Sequence, residues 1–130
     1  MYQQTTNDIK ITVVPAYLPM QSDPEQHHYV WAYTVQIENF GAQTVRLVNR
    51  YWRITDATGA VQEVRGAGVV GEQPTLRNRE AFQYTSGVAL RTPSGIMAGH
   101  YEMEDLNKRM FVVEIPAFSL DSPDQLKRPN

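Results

Sequence analysis

The stretch Tyr29-Val-Trp-Ala-Tyr-Thr-Val-Gln-Ile37 decides the fold. Its odd positions read Tyr29, Trp31, Tyr33, Val35 and Ile37, while the even positions end in Thr34, Gln36 and Glu38. Strict alternation of this kind describes a strand with one face in a core and one in water. Asn39-Phe40-Gly41-Ala42 breaks the run as a turn. The next strand begins near Thr44 and carries Val45 and Leu47 on one face, but Trp52 and Ile54 then fall on even positions. The phase therefore slips near Asn49-Arg50-Tyr51, as a β-bulge or bend requires.

Outward from this pair the same period recurs. Ile9, Ile11 and Val13 make a first strand, and Pro15 to Gln26 reads as a long proline-bearing connection. Asp56-Ala57-Thr58-Gly59 is a turn, and Val61 to Val64 resumes a strand. Phe82 and Tyr84 mark another, followed by the turn Thr92-Pro93-Ser94-Gly95. Met97 to Glu104 alternates again. Phe111, Val113 and Ile115 share a face on the last strand, with Pro116 expected at its end. Seven to eight short strands, with no sustained period of 3.6, predict an all-β antiparallel two-sheet sandwich of immunoglobulin or fibronectin type III kind. Trp31, Tyr33, Trp52, Phe82 and Phe111 are the expected large core residues. The 130 residues are read as one domain, with a core from about 8 to 120 and a mobile polar tail over 121–130.

Composition narrows the function. With 12 basic and 14 acidic residues the net charge is −2, which argues against a non-specific nucleic-acid binder. There is no cysteine, so disulfides, thiolate metal sites and cysteine nucleophiles are excluded together. The start, MYQQTTNDIK, lacks a basic region followed by an apolar run, so no signal peptide is expected. No apolar run is long enough to span a membrane. A cytoplasmic location is expected.

Arg65 to Pro74, RGAGVVGEQP, spells G-x-G-x-x-G through Gly66, Gly68 and Gly71. A dinucleotide fingerprint needs a helix after the glycines, whose amides and dipole face the phosphates. Gln73-Pro74 and the next strand at Phe82 leave no room for one. The glycines are thus expected to serve backbone geometry, with a nest of loop amides beside Arg65 as the alternative, able to hold a phosphate or metal-nucleotide. His27 and His28, and the alternating carboxylates Glu102 and Glu104, are weak candidates for a divalent cation; solvated surface is the simpler reading. Arg46, Arg50 and Arg53, on or near one strand beside Tyr51, could recognise an acidic partner, but an exposed basic strand face is the default reading. No nucleophile, base and orienter can be assembled, so no enzyme and no cofactor are expected. A partner protein is, and an exposed edge strand could also pair two copies.

Four blocks resemble the bacterial ApaG family, also called CorD: Val13–Asn39, Asn49–Pro74, Phe82–Met103 and Phe111–Phe118. The resemblance covers most of the chain from about Ile11 to Leu120. It implies a fibronectin-type sandwich, a cytoplasmic bacterial protein and an association with cobalt resistance and magnesium efflux. It also implies use as a protein-interaction domain, because eukaryotic relatives carry it attached to F-box proteins and to a polymerase-interacting protein. The resemblance brings no catalytic residues with it.

Overall fold

The computed structural model describes residues 1–123. Its strands are β1 (Tyr2–Thr6), β2 (Ile9–Tyr17), β3 (Tyr29–Asn39), β4 (Val45–Asp56), β5 (Val61–Ala67), β6 (Thr75–Leu76), β7 (Ala81–Leu90), β8 (Ser94–Asp105) and β9 (Met110–Asp121). One sheet runs β1-β2-β3-β7. The other runs β5-β4-β8-β9, with β6 paired to β4 beyond the end of β5. All pairings are antiparallel, and the two sheets form the expected immunoglobulin/fibronectin type III-like sandwich.

Alternation places the core as read. Trp31, Tyr33, Val35 and Ile37 all point inward from β3, and Ile9, Ile11 and Val13 from β2. Trp31 is almost fully buried and donates its Nε1–H to the Asp121 carbonyl at 2.8 Å, so its polar atom is not stranded. Tyr33, Trp52 and Phe118 pack as tilted and edge-on rings with centroids 5.3–5.9 Å apart. Phe82 and Phe111, expected at the centre, pack against its rim, whereas Tyr101 and Phe118 are buried within it.

The phase slip in β4 is a bulge. Its register against β8 shifts between Leu47 and Asn49, so Val48 is the extra residue. Four sequence expectations are corrected. Pro15 lies inside β2, opposite Tyr33, and the connection after Tyr17 carries two short 3-10 turns, Pro19–Gln21 and Pro24–Gln26. Pro116 does not end β9. It sits in a second bulge, where the register shifts between Met97 and Gly99, and the strand continues to Asp121 with Phe118 and Leu120 now inward. Tyr2–Thr6 forms a strand that the sequence reading left outside the core, and with β6 it brings the strands to nine. Of the tail, Asp121 ends β9 and the buried Ser122 hydroxyl donates to the Pro93 carbonyl at 2.6 Å; residues 124–130 lie outside the described residues.

The flank formed by β1 is stitched to the second sheet. The Tyr2 hydroxyl accepts from the Ser119 amide, and Thr6 Oγ1 from the Glu114 amide, each at 3.3 Å. The Tyr2 ring packs on Phe118. Among the described residues, no such strand lies across the opposite flank, between β5 and β7.

Candidate functional site

The bulge at Val48 determines what the glycine loop does. Beyond it, Arg50 shares the inward phase of Trp52 and Ile54 and enters the cleft between the sheets at the β5–β7 flank. Its Nη1 donates to the carbonyls of Ala67 at 3.0 Å and Gly68 at 2.9 Å. Gly66 lies directly against this guanidinium, for a Cβ there would stand 2.9 Å from it. Gly68, at φ +63°, takes a conformation that L side chains avoid, and a Cβ would come within 2.3 Å of the Glu72 carbonyl oxygen. Val70 and Gly71 both have positive φ between the paired Val69 and Glu72, as a primed hairpin turn requires.

The loop amides are largely committed. Gly68 N–H donates to the Val48 carbonyl at 2.8 Å, Val69 N–H to Glu72 at 2.8 Å and Glu72 N–H to Val69 at 2.9 Å. Among the described residues no helix follows Gly71. Arg65 points to the other side of β5, over the Tyr51 ring at 4.7 Å. Tyr51 in turn stacks on His100, with centroids 4.9 Å apart. Its hydroxyl donates to Glu63 Oε2 at 2.6 Å, and this bond holds the Glu63 carboxyl below its ordinary pKa. The four residues Arg65, Gly66, Gly68 and Gly71 are thus not gathered around one point: the loop backbone faces Arg50, and Arg65 belongs to the outer sheet face.

The weak metal candidates are dispersed. His27 is a left-handed residue closing a 3-10 turn, and His28 is bridged to Asp23 through backbone; both are exposed. Glu104 pairs with Arg46 at 3.0 Å and with Lys108 at 3.8 Å, while Glu102 accepts from Asn49 at 3.2 Å. Among the described residues no group of three or more His, Cys, Asp or Glu is placed to hold a metal ion. No described helix is long and apolar enough to cross a membrane.

The bulge takes Arg50 off the outer face that Arg46 and Arg53 share. Arg46 is ion-paired, Arg53 is exposed on the outer face, and Arg50 faces inward. Around Arg50 the cleft is aromatic and hydroxylic. Two adjoining cavities, of about 320 and 210 Å³, share Tyr33, Arg50, Trp52 and Ser86. Behind them the buried Tyr84 and Tyr101 hydroxyls share a hydrogen bond of 2.5 Å, and burial raises both phenol pKa values. None of the residues lining either cavity is acidic, and among the described residues no carboxylate pairs with Arg50. The signal that could have found Arg50 is the shared even phase of residues 50, 52 and 54 after the slip.

Comparison with known proteins gives concordant matches. The family model described as ApaG domain matches residues 19–105, more than half of the chain. "Protein ApaG" of Paramagnetospirillum magneticum is 60% identical over 130 residues, all of both chains. That of Parvibaculum lavamentivorans is 63% identical over 123 residues, 95% of each. A crystal structure described as an ApaA protein from Bordetella pertussis superposes with a TM-score of 0.87 at 49% identity, covering 89% of this chain and 94% of that one.

Proposed function

The chain belongs to the ApaG family, and from that premise we propose that it is a non-enzymatic protein-interaction module acting in divalent-cation homeostasis, in the cytoplasm. The observation that carries this reading is the edge strand β7. Over its ten residues, AFQYTSGVAL, it has no charge and no proline, and among the described residues only its β3 side is paired. Edge strands usually carry such residues to prevent chance pairing, and their absence suits an edge kept for a partner. Gly87 adds to this. It lies mid-strand at ordinary φ with only the Trp31 carbonyl nearby, at 3.6 Å, so its own fold would accept a side chain there. A glycine in such a place fits the close approach of a second backbone.

The dispersed titratable groups support a binding role over catalysis. Metal-assisted hydrolysis needs a cage of ligands, and among the described residues no group of three or more His, Cys, Asp or Glu is placed to hold a metal ion. The test is affinity capture from native lysate with the folded protein as bait. A stoichiometric partner retained by the wild type is expected. Repeated capture of none, or turnover of dinucleoside polyphosphates in magnesium by a clean preparation, would refute the reading. The link to metal homeostasis is tested by deleting the gene and measuring growth in cobalt; unchanged tolerance would sever it.

A further inference from the structure

The flank between β5 and β7 has a direction. At one end the turn Val69–Gly71 stands beside the first half of β7, since one cavity is lined by Val69, Val70, Gly71 and Tyr84 together. At the other end the cleft is walled by the side chains of Ile54, Val64, Val88 and Met97, with Gln62 among them. Arg50 lies between the two ends, opposite Ser86. A chain pairing with β7 in antiparallel sense enters at the Leu90 end and runs toward Tyr84. It meets the Ile54–Val88 wall first, then the guanidinium, then the turn Val69–Gly71.

A half-buried guanidinium without a carboxylate is costly to desolvate, and carbonyl acceptors compensate it only in part. Arg50 uses Nη1 on Ala67 and Gly68, which leaves the rest of its planar fork for an acceptor from the cleft. A carboxylate matches that fork in charge and shape, and the Tyr33 and Ser86 hydroxyls, bonded to each other beside it, leave one O–H as a further donor. A chain that ends short of the turn supplies a carboxylate at its own terminus.

Resting on the interaction-module reading, we propose that this flank binds the extended C-terminal segment of a partner protein. The segment adds as a strand antiparallel to β7, puts alternate apolar side chains on the Val88–Ile54 wall, and sets its terminal carboxylate on Arg50. Backbone pairing supplies affinity, the cleft selects apolar residues, and Arg50 selects a free chain end.

The test uses two pools of acetylated hexapeptides with alternating apolar and hydroxyl residues, identical except that one ends in a free carboxylate and the other in an amide. Each is titrated into isotope-labelled full-length protein and followed by amide and arginine side-chain resonances. The expected result is saturable shifts at Ser86–Leu90 and Arg50 with the acid pool, and binding weaker by about tenfold or more with the amide pool. Arg50→Gln should erase the difference between pools. Should that variant not fold, Val88→Glu, at the cleft rim, supplies an internal carboxylate and should weaken the acid pool selectively. Equal binding of both pools, or no shift at millimolar peptide, overturns the proposal. So do shifts at the β7 edge on raising protein concentration alone with a doubled sedimentation mass, which assign the edge to a second copy. Butyrate shifting Arg50 as strongly as the acid pool, without the β7 amides, would also overturn it in favour of a small-acid site. A lysate partner that Arg50→Gln still captures would refute this inference and leave the module reading standing.

Discussion

Replacing the three glycines one at a time by alanine separates backbone geometry from ligand cradling. At Gly71 a Cβ meets nothing within 4 Å, so the cost is the positive φ alone, about 1–2 kcal/mol. At Gly68 the same conformational cost applies, but the Cβ also falls 2.3 Å from the Glu72 carbonyl oxygen. That oxygen accepts the Val69 amide, and Glu72 donates back. Relieving the clash opens this pair, at about 1 kcal/mol per hydrogen bond, so Gly68→Ala should cost about 3–4 kcal/mol in all. Gly66→Ala carries no φ penalty and meets only the flexible end of Arg50. It should cost less than Gly68→Ala, yet move the Arg50 side-chain resonances as the guanidinium leaves the Ala67 and Gly68 carbonyls. Urea midpoints read against one common slope give the three stabilities. If Gly68→Ala cost no more than Gly71→Ala, or Gly66→Ala left Arg50 undisturbed, the geometric account of the triplet would be wrong.

Alkaline pH should unfold the protein through its buried phenols. The folded state holds Tyr84 and Tyr101 neutral, while the unfolded chain releases both protons near pH 10, so stability is intact below that value and falls above it. Between pH 10 and 11 the two together should remove about 2 kcal/mol, and phenolate absorbance should appear with unfolding rather than before it. Asn39→Ala should destabilise by about 2–4 kcal/mol in thermal or urea unfolding. The buried amide donates to Gln43 and Leu76 and accepts from Gly41, and a loss under 1 kcal/mol would contradict that account. Titration with ATP or a dinucleoside tetraphosphate, with and without magnesium, should leave the amides of Gly68, Val69 and Glu72 unmoved, because each already donates within the protein. Saturable shifts confined to Arg65–Glu72 would reverse this.

The sandwich was legible wherever the period of two ran unbroken, as in β3, because alternation maps directly onto a buried and a wet face. It was half-legible at Val48, where the reversed phase of Trp52 and Ile54 betrayed a bulge but not its consequence for Arg50. It failed at Pro116, since a proline that interrupts alternation looks the same at a strand end and inside a bulge. Tyr2–Thr6 escaped because YQQTT has no apolar alternation; its strand exists through a hairpin with β2 and through side-chain bonds to β9, the latter long-range. The glycine triplet was correctly denied a helix. Its use as a seat for Arg50 depends on a residue far off in sequence, brought close by the β4–β5 register.

The stitched flank also bears on solubility. End-to-end polymerisation of sheets needs two available edges per molecule, one to accept a strand and one to offer it. Here Tyr2 and Thr6 tie β1 down onto β9, whereas β7 is uncovered along its second half. The other unpaired edge, β5, lies on the same flank as β7, so the open edges face one way. Docking there favours a closed pair or a single guest over an open chain of molecules.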